Sequence, residues 1–121
     1  ILFTLNPADN AVMATLTGSF AADCMPGKVQ FGPAWWLNDH IYGMHEHFEA
    51  LAAYGVLSTF IGMTTDSRSL LSYVRHEYYR RVLCNWIAGK VATGEFPDEP
   101  DLLKDMVSAL CYGNAINYFK D

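Results

Sequence analysis

The stretch STFIGMTTDSRS, residues 58–69, joins an apolar run to a polar loop and decides the fold that we predict. Ser58–Met63 is a short continuous apolar run, which is typical of a strand buried on both faces. Asp66 and Arg68 follow it directly. At the rim of a core, these two charged side chains either pair with each other to shape a turn or face a ligand.

The same order of strand, loop and helix occurs twice more upstream. ILFTL (Ile1–Leu5) and GKVQFG (Gly27–Gly32) are the other two predicted strands. Helices are expected after Asn6, from about Asn38 or Asp39, from about Val74 to Ala92, and from about Pro100 onward. Strands that alternate with helices predict a parallel sheet with right-handed crossovers. We therefore predict an α/β fold, the end of a (β/α)8 barrel, with an open three-layer α/β domain as the alternative.

Apolar spacing predicts the buried face of each helix. For the second helix the predicted face is Ile41, Met44, Phe48, Leu51 and Ala52, with Gly55 at its end. For the third it is Tyr79, Val82, Leu83, Trp86, Ile87 and Val91. For the last it is Leu102, Leu103, Met106, Val107, Leu110, Ala115 and Phe119.

The HEH sequence at residues 45–47 is similar to the HxH pair of metal hydrolases, but on a helix the two histidines point about 200° apart. We therefore expect a solvated face there. Arg75 stands near the start of the third helix. We expect it to solvate the helix or pair with acids, although it is close enough to the loop to reach a bound anion.

Composition bounds the class of protein. The chain has 121 residues, 51% of them hydrophobic, and a net charge of −5, so one domain with a real core is expected. The acidic balance argues against a nucleic-acid surface or an anionic membrane as partner, and no apolar run reaches membrane-spanning length. The odd number of cysteines, Cys24, Cys84 and Cys111, predicts free, mostly buried thiols in a reducing compartment such as the cytoplasm.

Two loops carry the candidate site residues. Asp66, at the end of a strand, can ligate a metal or move a proton, and Arg68 can clamp a carboxylate with two hydrogen bonds. The alternative is that Asp66 caps a turn and Arg68 forms a structural ion pair. In PAWWLND, Trp35 and Trp36 either wall a pocket for a sugar or belong to the core.

Asn6, at the end of the first predicted strand, also has two possible roles. It either caps the following helix or contacts a ligand.

The combination of GKVQFGPAWWLND with FIGMTTDSRSLLSYVRHEYYRRVLCN resembles the C-terminal part of uronate isomerase, also called glucuronate isomerase, in the amidohydrolase superfamily. The resemblance covers essentially the whole chain. It implies a distorted (β/α)8 TIM-type barrel, of which this chain would be the last three βα units, strands 6–8, with C-terminal helices. Residues 1–121 would then be a C-terminal fragment of a single barrel domain with no separate internal domain.

The resemblance also implies an activity, the aldose–ketose isomerisation of D-glucuronate to D-fructuronate and of D-galacturonate to D-tagaturonate. Asp66 matches the family's metal ligand and would act as a base, and Arg68 would bind the substrate. Ser67, Trp35 and Trp36 would line the pocket. The complete protein would hold a divalent metal, zinc, partly through an HxH pair that this chain lacks, so we expect no metal and no activity in the isolated fragment.

The expected partners are a uronic acid substrate, the rest of the parent barrel and further copies in a homo-oligomer, with neither nucleic acid nor membrane. Two other hypotheses stay open. One is a metal-dependent amidohydrolase that acts on an acidic substrate, and the other is a non-catalytic α/β binding module.

Overall fold

The structure, a computed structural model, describes residues 1–21 and 25–120, and helices make up most of it. The α-helices of this part of the chain are α1 (Asn10–Gly18), α2 (Ile41–Tyr54), α3 (Val74–Ala92), α4 (Pro100–Ser108) and α5 (Asn114–Tyr118). Short 3₁₀ turns lie at Pro7–Asp9, Trp36–Asn38, Leu57–Thr59 and Leu70–Tyr73. A π-helical turn, Ala109–Gly113, joins α4 to α5.

The prediction of an α/β fold with a parallel sheet is wrong. Among the described residues, extended backbone pairs only at two isolated parallel bridges, Leu2 with Phe31 and Ala34 with Met63. The predicted third strand is interrupted at both ends, because Leu57–Thr59 is a 3₁₀ turn and Gly62 has φ +89°. Between Phe31 and Ala34 the chain passes through Pro33, which has no N–H to donate to a ladder. The three segments lie side by side but do not extend into strands of a barrel.

Capping side chains explain where the first 3₁₀ turn and helix α2 begin. The Asn6 side chain accepts a hydrogen bond from the Ala8 N–H at 3.1 Å, which confirms the capping role. Helix α2 begins at Ile41, later than predicted, and His40 Nδ1 accepts from the Gly43 N–H at 3.2 Å.

Asn38 explains the later start of α2. It lies in a 3₁₀ turn and is buried, and it exchanges two side-chain hydrogen bonds with Asn10 at 3.2 and 3.3 Å. This pair joins the loop before α2 to the first residue of α1.

The core lies among α1, α2 and α3. Phe48 of α2 is fully buried, and its ring contacts the rings of Tyr79 and Trp86 on α3 at centroid distances of 5.7 and 5.4 Å. At the edge of this contact Glu49 accepts hydrogen bonds from Trp86 Nε1 at 2.8 Å and from Lys90 Nζ at 2.9 Å. Helix α3 has the predicted bounds, and its predicted face is buried except for Val91, which is half-buried.

The buried face of α2 is displaced from the prediction. Two rows of residues point inward, 43–47–50 and 44–48–51, whereas Ile41 and Ala52 are exposed. His47 therefore lies inside the protein with none of its surface exposed, and the expectation that it belongs to a solvated face is wrong.

The last helical region begins at Pro100 as predicted, but its predicted apolar face is only partly covered. Leu110 is buried, whereas Leu102 and Phe119 are 52% and 65% exposed. Half-buried side chains such as Leu103 and Met106 pack against the main core. The apolar spacing alone therefore overestimated how much of this face would find a partner.

The cysteines also differ from expectation. Cys84 is exposed and Cys111 is half-buried, so the expected burial is wrong for Cys84, while Cys24 lies outside the described residues. Within residues 1–21 and 25–120, none of the helices combines the length and the apolar character that crossing a bilayer requires.

Candidate functional site

The candidate site lies where two loops meet beyond the Ala34–Met63 bridge. The Ala34 N–H donates to the Gly62 carbonyl at 3.1 Å, and the Thr64 N–H donates to the Ala34 carbonyl at 3.3 Å. This pairing places residues 35–39, the tryptophan loop, beside residues 64–69, the DSRS loop. Polar and aromatic residues about 30 positions apart in the sequence therefore lie across one cleft.

The tryptophan loop holds Asp66 directly. Trp35 Nε1 donates a hydrogen bond to Asp66 Oδ2 at 2.5 Å. The Trp35 ring is itself packed, edge-on against Phe3 at 5.1 Å and tilted against Trp36 at 5.7 Å. One carboxylate oxygen of Asp66 is therefore fixed by a half-buried indole, and the other is left for a further partner.

The backbone of the cleft is strained at two points. Within the described ranges, the non-glycine residues with positive φ are Trp36 at 44° and Asp66 at 45°. Such conformations cost about 1–3 kcal/mol each and gather at functional sites. Both lie in the two facing loops, which supports the choice of this cleft as the site.

A second pair of side chains closes the other side of the cleft. Arg75, in the first turn of α3, forms an ion pair with Asp39 of the tryptophan loop. Its Nη1 also donates to the Thr65 carbonyl at 2.9 Å. The cleft has a volume of about 390 Å³ and is lined by Trp35, Trp36, Asp39, Thr65, Asp66 and Arg75.

The structure brings three of the predicted site residues together and leaves two outside the cleft. Asp66, Trp35 and Trp36 line it. Ser67 is exposed and turns into its own loop, where its Oγ accepts from the Ser69 N–H at 3.2 Å and from Ser72 Oγ at 2.6 Å. Arg68 is exposed, and no hydrogen bond or ion pair holds it within the described part of the chain. Their roles in substrate binding stay predictions.

Sequence reasoning missed Asp39 and gave Arg75 only a general role. Asp39 was expected to start a helix, whereas it pairs with Arg75 across 36 positions of sequence. The expectation that Arg75 pairs with an acid is confirmed, and this pairing occupies the guanidinium that was also a candidate for binding an anion. The local sequence around either residue does not indicate that Asp39 and Arg75 form a pair.

The described residues do not fit a zinc ion by themselves. Catalytic zinc takes about three protein ligands, and no group of three histidine, cysteine, aspartate or glutamate side chains converges within residues 1–21 and 25–120. Asp39, the other carboxylate at the cleft, is engaged by Arg75. We therefore assign no catalytic step of this chain to a metal.

Known proteins match this chain along nearly its whole length. The family model described as glucuronate isomerase matches residues 1–119. Proteins named uronate isomerase from Haemophilus influenzae (strain PittGG), Bacillus licheniformis and Clostridium acetobutylicum are 51%, 54% and 53% identical to it over 120 residues.

The alignments cover 99% of this chain but only 25–26% of the relatives, so the chain spans about a quarter of their length. A match over 119 residues at about 50% identity leaves no doubt about descent, and the residues of the cleft lie inside the matched range. The chain belongs to the glucuronate isomerase family.

Proposed function

We propose that this chain contributes part of the active site of a uronate isomerase. The full-length protein would interconvert D-glucuronate with D-fructuronate and D-galacturonate with D-tagaturonate. The family match over residues 1–119 carries this proposal, and the arrangement of Asp66 in the cleft supports it.

The chemistry requires a base and a group that stabilises developing negative charge. An aldose–ketose isomerisation moves a proton between C2 and C1 of the open-chain sugar through an enediol. Asp66 is a suitable base, because Trp35 holds one of its oxygens and the other has no protein partner among the described residues. The proton taken from C2 would pass to this free oxygen and then to C1, while the proton of the C2 hydroxyl would move to the C1 oxygen.

Binding of the substrate falls to the residues around Asp66. Arg68 is exposed and holds no partner in the described part of the chain, so its guanidinium is available to clamp the carboxylate of a uronate. The Trp36 ring is 63% exposed at the cleft and offers an apolar face to the C–H side of a sugar. Ser67 would join the site only if the DSRS loop turns its hydroxyl outward.

The remainder of the site would come from elsewhere in the full-length protein. We propose that it supplies the further ligands that a divalent ion, zinc, would need, with Asp66 shared between that ion and the proton transfer. A homo-oligomer in the cytoplasm is proposed for the complete enzyme.

The test is the isomerase activity of the full-length protein on both uronates, with Asp66→Asn compared with wild type. Loss of the base is expected to lower kcat by about 100-fold or more. Asp98→Asn is the matched control, since Asp98 is exposed and lies outside the cleft.

Two results would contradict the proposal. Near-wild-type turnover of Asp66→Asn would show that Asp66 only shapes a turn. If the wild-type protein is inactive on both sugars, the proposed isomerase activity is wrong. Hydrolysis of an acidic substrate would then be the activity to test.

A further inference from the structure

The DSRS loop is attached to the tryptophan loop by two side-chain contacts, one at Asp66 itself and one at the residue before it. Trp35 holds the Asp66 carboxylate itself. Arg75 holds the carbonyl of Thr65, the residue immediately before Asp66, and pairs at the same time with Asp39. Both attachments lead to residues 35–39, so the Asp66 carboxylate and the peptide before it are held against the tryptophan loop.

These attachments matter because Asp66 has little else to hold it. The residue is exposed and its φ is 45°. Within the described residues, its one other hydrogen bond is a long one of 3.4 Å from its N–H to Thr64 Oγ1. A carboxylate on an exposed loop rotates freely about its χ angles unless a partner fixes it. A base has to be held close to its productive geometry, since misplacement by about 1 Å can cost about 100-fold in rate.

The first attachment is suited to positioning. Trp35 is half-buried and its ring is packed between Phe3 and Trp36, so the indole N–H points in one direction. The hydrogen bond runs to Oδ2 and leaves Oδ1 for the reacting proton. A rigid aromatic donor thus sets the plane of the carboxylate.

The second attachment needs an arginine. Nη1 of Arg75 donates to the Thr65 carbonyl while Nη2 pairs with Asp39, so one planar group serves both loops. A lysine at the same place has one ammonium on a flexible stem and cannot reproduce this fork. The distance between the loops would then be less well determined.

We propose that Trp35 and Arg75 are positioning residues for the isomerisation: together they fix Asp66 on the DSRS loop against the tryptophan loop. The inference rests on the proposed function, because it takes Asp66 as the base. It assigns Trp35 a hydrogen-bonding role beyond that of a pocket wall, and it makes Arg75 a positioning group with no direct contact to the substrate.

The first experiment measures kcat and KM of the full-length enzyme with Trp35→Phe. Phenylalanine keeps an aromatic wall and removes the N–H, so kcat is expected to fall by about 10- to 100-fold while KM stays within about twofold. Trp86→Phe is the matched control, because it also removes an indole hydrogen bond to a carboxylate, that of Glu49 at 2.8 Å, and neither residue lines the cleft. Its kcat is expected to match wild type.

The second experiment uses Arg75→Lys, which keeps the positive charge at this half-buried position. It is expected to lower kcat by a similar factor at unchanged KM. If the two residues act as one unit, the double variant Trp35→Phe, Arg75→Lys loses less than the product of the single losses. Wild-type kcat in both single variants would overturn the inference. A rise in KM with unchanged kcat would also overturn it, because it would show that the residue only forms a wall of the pocket.

A spectroscopic measurement separates this inference from the proposed function. In protein with ¹⁵N-labelled tryptophan, the indole N–H resonance that disappears in Trp35→Phe is assigned to Trp35. It is expected to move upfield in Asp66→Asn and to shift in Arg75→Lys. If the enzyme is inert on uronates but these shifts occur, only the function has failed, whereas an unmoved resonance in an active enzyme overturns the positioning role.

Discussion

At the scale of single residues, His47 shows how far an environment can override the usual character of a side chain. Its ring is fully buried between the rings of Phe31 and Phe60, at centroid distances of 4.3 and 5.0 Å. Neither ring nitrogen has a hydrogen-bond partner within the described residues. Burial lowers the pKa of His47 from 6.5 to about 3, because the charged imidazolium would lose its hydration.

This burial predicts a loss of stability in mild acid. Between pH 6.5 and 3 the unfolded state binds a proton at this histidine and the folded state does not, so the free energy of unfolding falls as the pH falls through that window. The loss between pH 7.5 and pH 5 is expected to be about 2 kcal/mol. Urea unfolding at the two pH values measures it.

The matched variant is His47→Phe, which removes the titrating group and keeps a ring at the site. Its stability should change less than that of wild type between pH 7.5 and 5. Equal changes in the two proteins would show that other groups cause the acid sensitivity.

At the scale of elements, the close approach of α1 and α2 depends on a residue without a side chain. Gly18, the last residue of α1, lies against the end of α2, where a Cβ would be only 2.4 Å from the Tyr54 carbonyl oxygen. That neighbour is backbone and has little freedom to move. Glycine often ends a helix because of its backbone freedom, and here close packing also requires a residue without a side chain.

Gly18→Ala is therefore expected to destabilise the fold by about 1–3 kcal/mol through overpacking between the two helices. Gly89→Ala in α3 is the control, because nothing lies within 4 Å of its added Cβ. That change should raise stability by up to about 1 kcal/mol through helix propensity. Chemical unfolding of both variants is the measurement, and a neutral Gly18→Ala would contradict the close packing of α1 on α2.

At the scale of the whole molecule, much apolar surface is left uncovered. The accessible surface is 7571 Å², whereas a compact monomer of this mass, 13.6 kDa, would expose about 6,600 Å². Leu70, Leu71, Tyr73 and Val74, which follow the DSRS loop, are each at least 66% exposed. Contiguous apolar surface of this kind marks interaction surfaces.

We therefore expect the 121-residue chain, studied alone, to associate with itself. Size-exclusion chromatography over a range of concentrations should show a mass above that of a monomer. A hydrophobic dye should bind, and denaturant below the unfolding midpoint should release both dye and partners. A monodisperse monomer that binds no dye would contradict this expectation.

The sequence by itself determined the local features of this protein. The bounds of α3, the capping by Asn6 and the start of α4 at Pro100 followed from residue spacing and end signals, because helical hydrogen bonds join residues four apart. Family membership also followed, since the motifs around Trp35 and Asp66 are long and specific.

Only the tertiary structure decided which distant residues meet. It placed Trp35 on Asp66 and Asp39 on Arg75, buried His47, and reduced three predicted strands to isolated bridges. These outcomes depend on pairing between segments about 30 or more residues apart, where a strand forms only if a neighbour offers matching backbone groups along its length. The local sequence pattern of a segment does not specify that neighbour, so these contacts are determined by tertiary packing.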